Sequence, residues 1–368
     1  MAVLVVKLGT STLLDGAGRI RDEVLDARVR ELVRVARQGH QPVLVSSGAV
    51  GCGLGVMGIT ERPALLPDLQ AASAIGQGVL FERYLRAFGP LGVTPAQVLL
   101  TSGDLERRAS YLNARNTLGR LLEWGIVPVI NENDTTAADG VTFGDNDVLA
   151  AQVAILLRAS WLLLLTDREG LYGEGPDGPE LIRDVPAGTA PEDVPLASMA
   201  GSGLGRGGIQ SKVAAASMAT AAGVTCIVAS GLDDGVVTGI AHGGHVGTRF
   251  PPATRPRSAF KLWLLYAKPA MGRVHVDAGA ARALEGRGTS LLPVGVVGCD
   301  GAFMAGDAVE VVEADGGRLV GKGIVAVSAE DLRHVAGMKT AQVREVLPGH
   351  PGEVIHRDQF VLSSAEAV

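Results

Sequence analysis

The chain has 368 residues, of which 47% are hydrophobic and 20% charged, with a formal net charge of −6. That length holds two domains or one large one, and that composition fills a sizeable core, which excludes a disordered or fibrous chain. The acidic balance argues against nonspecific nucleic-acid binding, no apolar stretch approaches the roughly 20 residues of a membrane helix, and the three cysteines, Cys52, Cys226 and Cys299, lack metal-ligand spacing.

The apolar run at residues 2–6 predicts a buried strand that ends in Lys7-Leu-Gly-Thr-Ser11. Ligands of open parallel α/β sheets sit at the carboxyl edge, where a cation and free backbone N–H groups suit a phosphate. Residues 23–38 have helical spacing, with Val24, Leu25, Val29, Leu32, Val33 and Ala36 on one face and arginines opposite. A strand at 42–45 runs into Ser46-Ser-Gly-Ala-Val-Gly-Cys-Gly-Leu-Gly55. Its small residues suit either a closely approaching ligand or tight backbone packing. Ser47 can donate to a carboxylate or a phosphate.

Helical spacing recurs at 66–88 and 111–124, followed by a strand at 127–130. Two polar bursts come next, Asn131-Glu-Asn-Asp134 and Gly144-Asp-Asn-Asp147, the second opening a helix at 146–159. A helix cap needs one such residue, whereas seven Asn, Asp or Glu are gathered here. The spacing is not that of a calcium loop, and side chains of this kind can grip a substrate's ammonium group. A strand at 161–165 ends in Thr166-Asp167. The segment Gly203-Leu-Gly-Arg-Gly-Gly208 precedes a helix at 209–222 that carries Lys212, and a strand at 224–229 follows. This glycine stretch is not a Walker A loop, and no strand closely precedes it as a dinucleotide fingerprint requires. Lys7 and Lys212, on two glycine-rich segments, suit the neutralisation of a nucleoside triphosphate.

Continuous apolar strands alternating with helices predict an α/β fold, a mostly parallel sheet flanked by helices on both faces. The pattern breaks near Thr248, where residues 249–257 contain three prolines. The expected organisation is a first domain at 1–250, a linker at 251–270 and a small, mainly-β domain at 271–355, with strands at 273–277, 308–312 and 319–327. His356-Arg-Asp358 matches the start of a protein-kinase catalytic loop but lacks the downstream Asn, so it is read as coincidence.

Lys7-Leu-Gly-Thr-Ser11, Ser46-Ser-Gly-Ala-Val50, Asn131-Glu-Asn-Asp-Thr135, Gly144-Asp-Asn-Asp147, Leu162-Leu-Leu-Leu-Thr-Asp-Arg-Glu-Gly-Leu-Tyr172 and Gly205-Arg-Gly-Gly-Ile-Gln-Ser-Lys212 resemble, in order and spacing, the amino acid kinase family in its glutamate-phosphorylating branch. Arg287-Gly-Thr-Ser-Leu-Leu-Pro-Val-Gly295 resembles part of a PUA domain, an appendage of many members of that branch. The resemblance implies an amino acid kinase fold with a PUA-like domain. It implies ATP-dependent phosphorylation of the side-chain carboxylate of L-glutamate, the first step of proline biosynthesis. By the same resemblance Lys7 and Lys212 contact the phosphates, and Asp147 lies between them and orients them. Ser47, Asp134 and Asn146 contact glutamate, with Asn131 close by. Gly9, Thr166, Asp167, Arg206, Gly207, Gly208, Ile209, Gln210, Ser211 and Lys212 serve ATP. Mg²⁺ is expected through the ATP phosphates, with no metal site of the protein's own. Proline as feedback inhibitor and a homo-oligomer (dimer or tetramer) are also implied by the resemblance, while charge, cysteine usage and the lack of a long apolar stretch predict a cytoplasmic location with neither membrane nor nucleic acid as partner.

Two departures stand out. Gly205-Arg-Gly-Gly-Ile209 replaces the usual Gly-Thr-Gly-Gly-Met, and Gly-Ala-Val-Gly-Cys follows Ser47 where Gly-Ala-Ile and alanines are usual. Three alternatives remain at this point. One is another acceptor within the family: aspartate, N-acetylglutamate, carbamate or a nucleoside monophosphate. A second is an RNA-binding regulator acting through the tail, against which stand nine Lys and Arg facing twelve Asp and Glu in residues 271–360. The third is a nucleotide sensor without catalysis, disfavoured by the presence of both lysines and Asp147.

Overall fold

In the computed structural model, which describes residues 2–136, 145–197, 205–254, 256–347 and 352–363, the apolar runs become strands of one sheet. The chain divides into two units, the first ending at Arg257 and the second starting at Ser258. The first unit begins β1 (Val3–Leu8), α1 (Thr10–Leu13), α2 (Asp22–Arg37), β2 (Gln41–Ser46), α3 (Ala49–Met57), α4 (Leu66–Phe88), β3 (Pro95–Leu100), α5 (Ser102–Glu106) and α6 (Arg108–Glu123). It continues with β4 (Val127–Glu132), α7 (Asp145–Leu156), β5 (Trp161–Thr166), the hairpin β6 (Tyr172–Gly175) and β7 (Gly178–Leu181), α8 (Gly205–Ala221), β8 (Thr225–Ser230), α9 (Val236–Ala241) and β9 (Thr248–Phe250).

The main sheet has the order β3-β4-β2-β1-β5-β8-β9, parallel throughout except for the antiparallel edge strand β9. Side chains alternate along β1. Leu4, Val6 and Leu8 join Leu25, Val29 and Leu32 of α2 and Leu80, Tyr84 and Phe88 of α4 in one core. Val5 and Lys7 therefore face the opposite side, where α7 packs across β1, β2, β4 and β5. Helix α2 is aided by Asp22 and Glu23 in its first turn and Arg34 and Arg37 in its last, which complement its dipole. The arginines of this helix are not all on a solvated face, however. Arg28 is 1% exposed, because it pairs with Glu31 at 2.8 Å and donates to the carbonyl of Asp233 at 2.5 Å.

Strands β3 and β9 were not among the predicted elements. β3 is an edge strand buried only at its two ends, with half-buried and exposed residues alternating between them, so it lacks the continuous buried run of its neighbours. The glycines after Ser47 serve packing: a Cβ on Gly53 would lie 1.8 Å from the carbonyl oxygen of Ala72, and one on Gly76 would lie 1.9 Å from that of Ala49. Helices α3 and α4 thus touch backbone to backbone, which fixes α4 beside the end of β2.

The second unit contains α10 (Ala259–Leu262), β10 (Ala270–Val276), α11 (Ala278–Arg287), β11 (Val296–Gly301), β12 (Ala308–Glu313), β13 (Leu319–Val325), α12 (Ala329–Val335), α13 (Thr340–Val346) and β14 (Ile355–Leu362). Its sheet has the order β11-β10-β12-β13-β14, with β10 and β12 parallel and the other pairs antiparallel. Val274, Val276, Val309, Val311, Val320 and Val325 pack against Leu332 and Val335. The expected linker at 251–270 needs correction. Its second half forms α10 and a π-helical turn, Trp263–Ala267, and the buried Leu264 packs with Ala308, Ile324 and Val361. No proline occurs between Pro256 and Pro269, and the apolar residues of that stretch have a core to enter. His356-Arg-Asp358 lies within the ordinary strand β14. No described helix is long and apolar enough to cross a membrane.

Candidate active site

The sheet register sets five strand ends in one row. Leu8 pairs with Ser46 on one side and Leu165 on the other, Ile130 lies beside Val45, and Leu165 lies beside Ala229. Along the carboxyl edge the order is therefore Asn131 on β4, Ser47 after β2, Lys7 on β1, Thr166 on β5 and Ser230 on β8. Lys7 belongs to the central strand of this row.

Above β1 stands the first turn of α7, and it delivers Asp147. One carboxylate oxygen, Oδ1, pairs with Lys7 Nζ at 2.6 Å, and the other, Oδ2, accepts from Lys212 Nζ at 3.0 Å. Lys212 reaches the site from α8 and also donates to the carbonyl of Gly208, one turn back, at 3.3 Å. The three side chains are 6%, 1% and 14% exposed, in the order Lys7, Asp147, Lys212. Two ammonium groups on one carboxylate carry a net charge of about +1 in a site nearly closed to water. Among the described residues, neither lysine has a second carboxylate partner. A buried charge without a counter-charge is costly, so the cluster favours the arrival of an anion. Burial lowers the pKa of Lys7, Asp147 opposes that shift and Lys212 adds to it. Burial also pushes Asp147 upward, but the two lysines outweigh it and hold the carboxyl below its usual range.

A second cluster lies on the β2 and β4 side. Asn146 Nδ2 donates to Ser47 Oγ at 3.0 Å, to Asn131 Oδ1 at 2.9 Å and to the carbonyl of Ser46 at 3.3 Å. Asp134 accepts from the hydroxyl of Ser73 at 2.5 Å. Its charge also acts on Arg62, from the connection between α3 and α4. Two residues here escaped the sequence reading, Ser73 and Gln77, the latter accepting from Asn131 Nδ2 at 2.6 Å. Both belong to α4 and are spaced i, i+4, so they share one helix face. Their only signal was a pair of polar residues close to the stripe that buries Leu69, Ala72, Gly76 and Leu80.

On the β5 and β8 side, the backbone N–H of Gly9 donates to the carbonyl of Leu165 at 3.2 Å, and that of Gly231 to the carbonyl of Thr166 at 2.6 Å. A Cβ on Gly9 would stand 3.7 Å from Lys7 Nζ, so this glycine flanks the ammonium group. Thr166 donates to Asp167 Oδ1 at 3.0 Å, and Asp167 is exposed. Gly208, Ile209 and Ser211 are half-buried at the start of α8, whereas Gln210 is exposed. The surroundings of Arg206 and Gly207 lie outside the described residues, as does the loop at 137–144.

The structure thus gathers Lys7, Asp147 and Lys212 into one group and Ser47, Asn131 and Asn146 into another. Asp134 is joined to the second side through α4, and Thr166 and Asp167 stand across β1 from it. A sequence profile of the amino acid kinase family matches residues 2–230, and one of the PUA domain matches residues 272–347. A glutamate 5-kinase of Synechococcus sp. (strain JA-3-3Ab) is 43% identical over 365 residues, which cover 98% of both chains. Those of Moorella thermoacetica (42% over 363 residues, 98% of this chain and 96% of the relative) and Gloeobacter violaceus (43% over 371 residues, 99% and 100%) are similarly close. With this breadth of similarity and this clustering of residues, the chain belongs to the amino acid kinase family, in its glutamate 5-kinase branch with a C-terminal PUA domain.

Proposed function

We propose that the buried group Lys7–Asp147–Lys212 is the phosphoryl-transfer centre of an enzyme that moves the γ-phosphoryl group of ATP to the side-chain carboxylate of L-glutamate. The product is L-glutamyl 5-phosphate, and the step opens proline biosynthesis. The observation that carries the reading is the single carboxylate that holds two lysines, 205 positions apart in the chain (212 minus 7), at 2.6 and 3.0 Å.

A carboxylate nucleophile is already ionised at neutral pH and needs no general base. The barrier is the approach of one anion to another, and phosphoryl transfer is governed mainly by positioning and charge neutralisation. Lys7, on the central strand, lies between the two sides and meets the charge of the transferred group. Lys212, on the α8 side, meets charge that develops toward the leaving phosphate as the bond to it breaks. Asp147 holds both amines so that they need not reorganise during transfer. Ser47, Asn131, Asp134 and Asn146 form the acid pocket, with the hydroxyl of Ser47 as a donor to a carboxylate and Asp134 as a counter-charge for the ammonium group. Gly9, Thr166, Asp167 and the segment Arg206–Lys212 form the nucleotide side.

Mg²⁺ enters as part of the nucleotide substrate, on its phosphates. Both oxygens of Asp147 are engaged by lysines. Proline as a feedback inhibitor and a dimer or tetramer as the working state complete the proposal. An assay with and without proline, and sedimentation analysis, test those two points.

The central test is hydroxamate trapping of the acyl phosphate formed from ATP and glutamate, with aspartate, N-acetylglutamate and carbamate as competing acceptors. Lys212→Ala is expected to lower kcat by more than about tenfold, since a single charge-stabilising donor is commonly worth a few kcal/mol. An unchanged kcat at saturating substrates removes Lys212 from the chemistry.

A further inference from the structure

Gln77 is the end of a chain of side-chain amides whose polarity is fixed by the main chain. Its Oε1 accepts from Asn131 Nδ2 at 2.6 Å. Asn131 Oδ1 accepts from the backbone N–H of Glu132 and from Asn146 Nδ2, both at 2.9 Å. A backbone N–H can only donate, so the oxygen of Asn131 must lie on that side and its amino group must face Gln77. At the other end, Asn146 Nδ2 lies 3.3 Å from the carbonyl of Ser46, which can only accept. The amino group of Asn146 is therefore committed to the protein.

What remains is the oxygen. Asn146 Oδ1 is buried and, among the described residues, receives no hydrogen bond. Beside it, Ser47 Oγ already accepts from Asn146 at 3.0 Å, which leaves the Ser47 proton to be donated elsewhere. A bare acceptor next to a free donor is the complement of an amino acid's ammonium and carboxylate groups. An unmet buried acceptor costs free energy, and a ligand that meets it recovers that cost.

We propose that Gln77 is a positioning residue for the acid substrate: by closing the relay Gln77–Asn131–Asn146 it holds the Asn146 oxygen where the α-ammonium group docks. This rests on the assignment of the Asn131–Asn146 cluster to the glutamate pocket. Without an acceptor at position 77, the amino group of Asn131, a residue 2% exposed, is left buried and unpaired. Asn131 then has reason to rotate, and the fixed orientation of Asn146 is lost with it. Helix α4 keeps Gln77 in place through the backbone contact of Gly76 with α3.

The test uses the full-length protein and steady-state kinetics in both substrates. Gln77→Met keeps the length of the side chain but removes the acceptor, and Gln77→Glu keeps an acceptor oxygen. Gln77→Met is expected to raise the KM for glutamate roughly tenfold while the KM for ATP stays within about twofold, and Gln77→Glu is expected to recover most of the difference. Gln77→Ala repeats the measurement should the methionine variant not fold. Equal shifts in both KM values, no shift at all, or a glutamate variant as impaired as the methionine one would overturn the relay. Asn146→Ala, measured alongside, separates the two readings. If it leaves the KM for glutamate unchanged, the pocket assignment fails. If it raises that KM while Gln77→Met does not, the relay alone fails.

Discussion

The first unit contains two buried ion clusters on opposite faces of one sheet, and they are built on opposite plans. On the α2 face, Arg28 pairs with Glu31, whose carboxylate accepts from the backbone N–H groups of Gly235 (3.0 Å), Val237 (2.6 Å) and Thr238 (3.3 Å) at the start of α9. Arg28 meets Glu31 and, at 3.4 Å, the exposed Asp234, so its charge is answered, and the remaining capacity of Glu31 caps a helix. On the other face, Asp147 meets two cations and the sum is positive. The first cluster is closed and ties α2 to α9. The second is open by one charge, and that imbalance distinguishes a site from a brace.

The largest effect that tests this contrast is on stability. Glu31→Ala leaves Arg28 with its chief counter-charge gone and three helix N–H groups without their acceptor. It is expected to cost about 3–5 kcal/mol in urea unfolding, the range for breaking a buried pair. Lys212→Ala should instead change activity much more than stability, because it removes excess charge. If the two variants behaved alike in both assays, the distinction between closed and open clusters would be lost. A smaller effect is expected from Asp134→Ala, which should raise the KM for glutamate by about tenfold or more with little change in that for ATP, since a charged hydrogen-bond partner is worth about 1.5–3 kcal/mol. A shift only in the KM for ATP would place Asp134 on the nucleotide side.

The smallest and most graded effect is with pH. Burial lowers the pKa of both Arg28 and Lys7, but a guanidinium remains charged over the working range whereas a lysine does not. As pH rises, Lys7 should lose its proton below 10.5, the ordinary value for lysine, and kcat/KM should fall with an apparent pKa under that value. Stability moves the other way. A lysine whose folded pKa lies below its unfolded one opposes folding while protonated, and that opposition fades between the two values. Asp147, whose pKa is lowered, contributes stability above the unfolded carboxylate value of about 3.8, and this is lost as pH falls through its folded pKa. Lys7→Arg should abolish the alkaline limb, and a limb that stays in place assigns it to another group.

Much of this was legible in the sequence because strand ends announce themselves. β1, β2, β4, β5 and β8 are continuous apolar runs, and the polar residues directly after or at the end of each are the ones the sheet brings into a row. Edge strands were harder. β3 carries alternating exposure and β9 has three residues, so neither offers an apolar run. The pairing of Arg28 with Glu31 was hidden because charged residues on an amphipathic helix are ordinarily solvated, and only the arrival of α9 from 200 residues later covers them. Ser73 and Gln77 were hidden for the reverse reason, as two small interruptions of a long helix whose glycine and alanine content points to packing. The glycines after Ser47 could be read either way from composition. The close approach of Ala72 to Gly53 assigns that one to packing.

The strand order has a consequence for how this scaffold can be re-addressed. In the proposed reading, everything that recognises the acid is encoded between positions 47 and 146, and everything else that recognises the nucleotide, apart from the β1 turn, is encoded after position 160. A transplant of the earlier segment from a kinase of a different acid would therefore rewrite the acceptor while the energy source stayed the same. Lys7, common to both halves and set in the middle of the sheet, is the fixed hub about which such an exchange would turn.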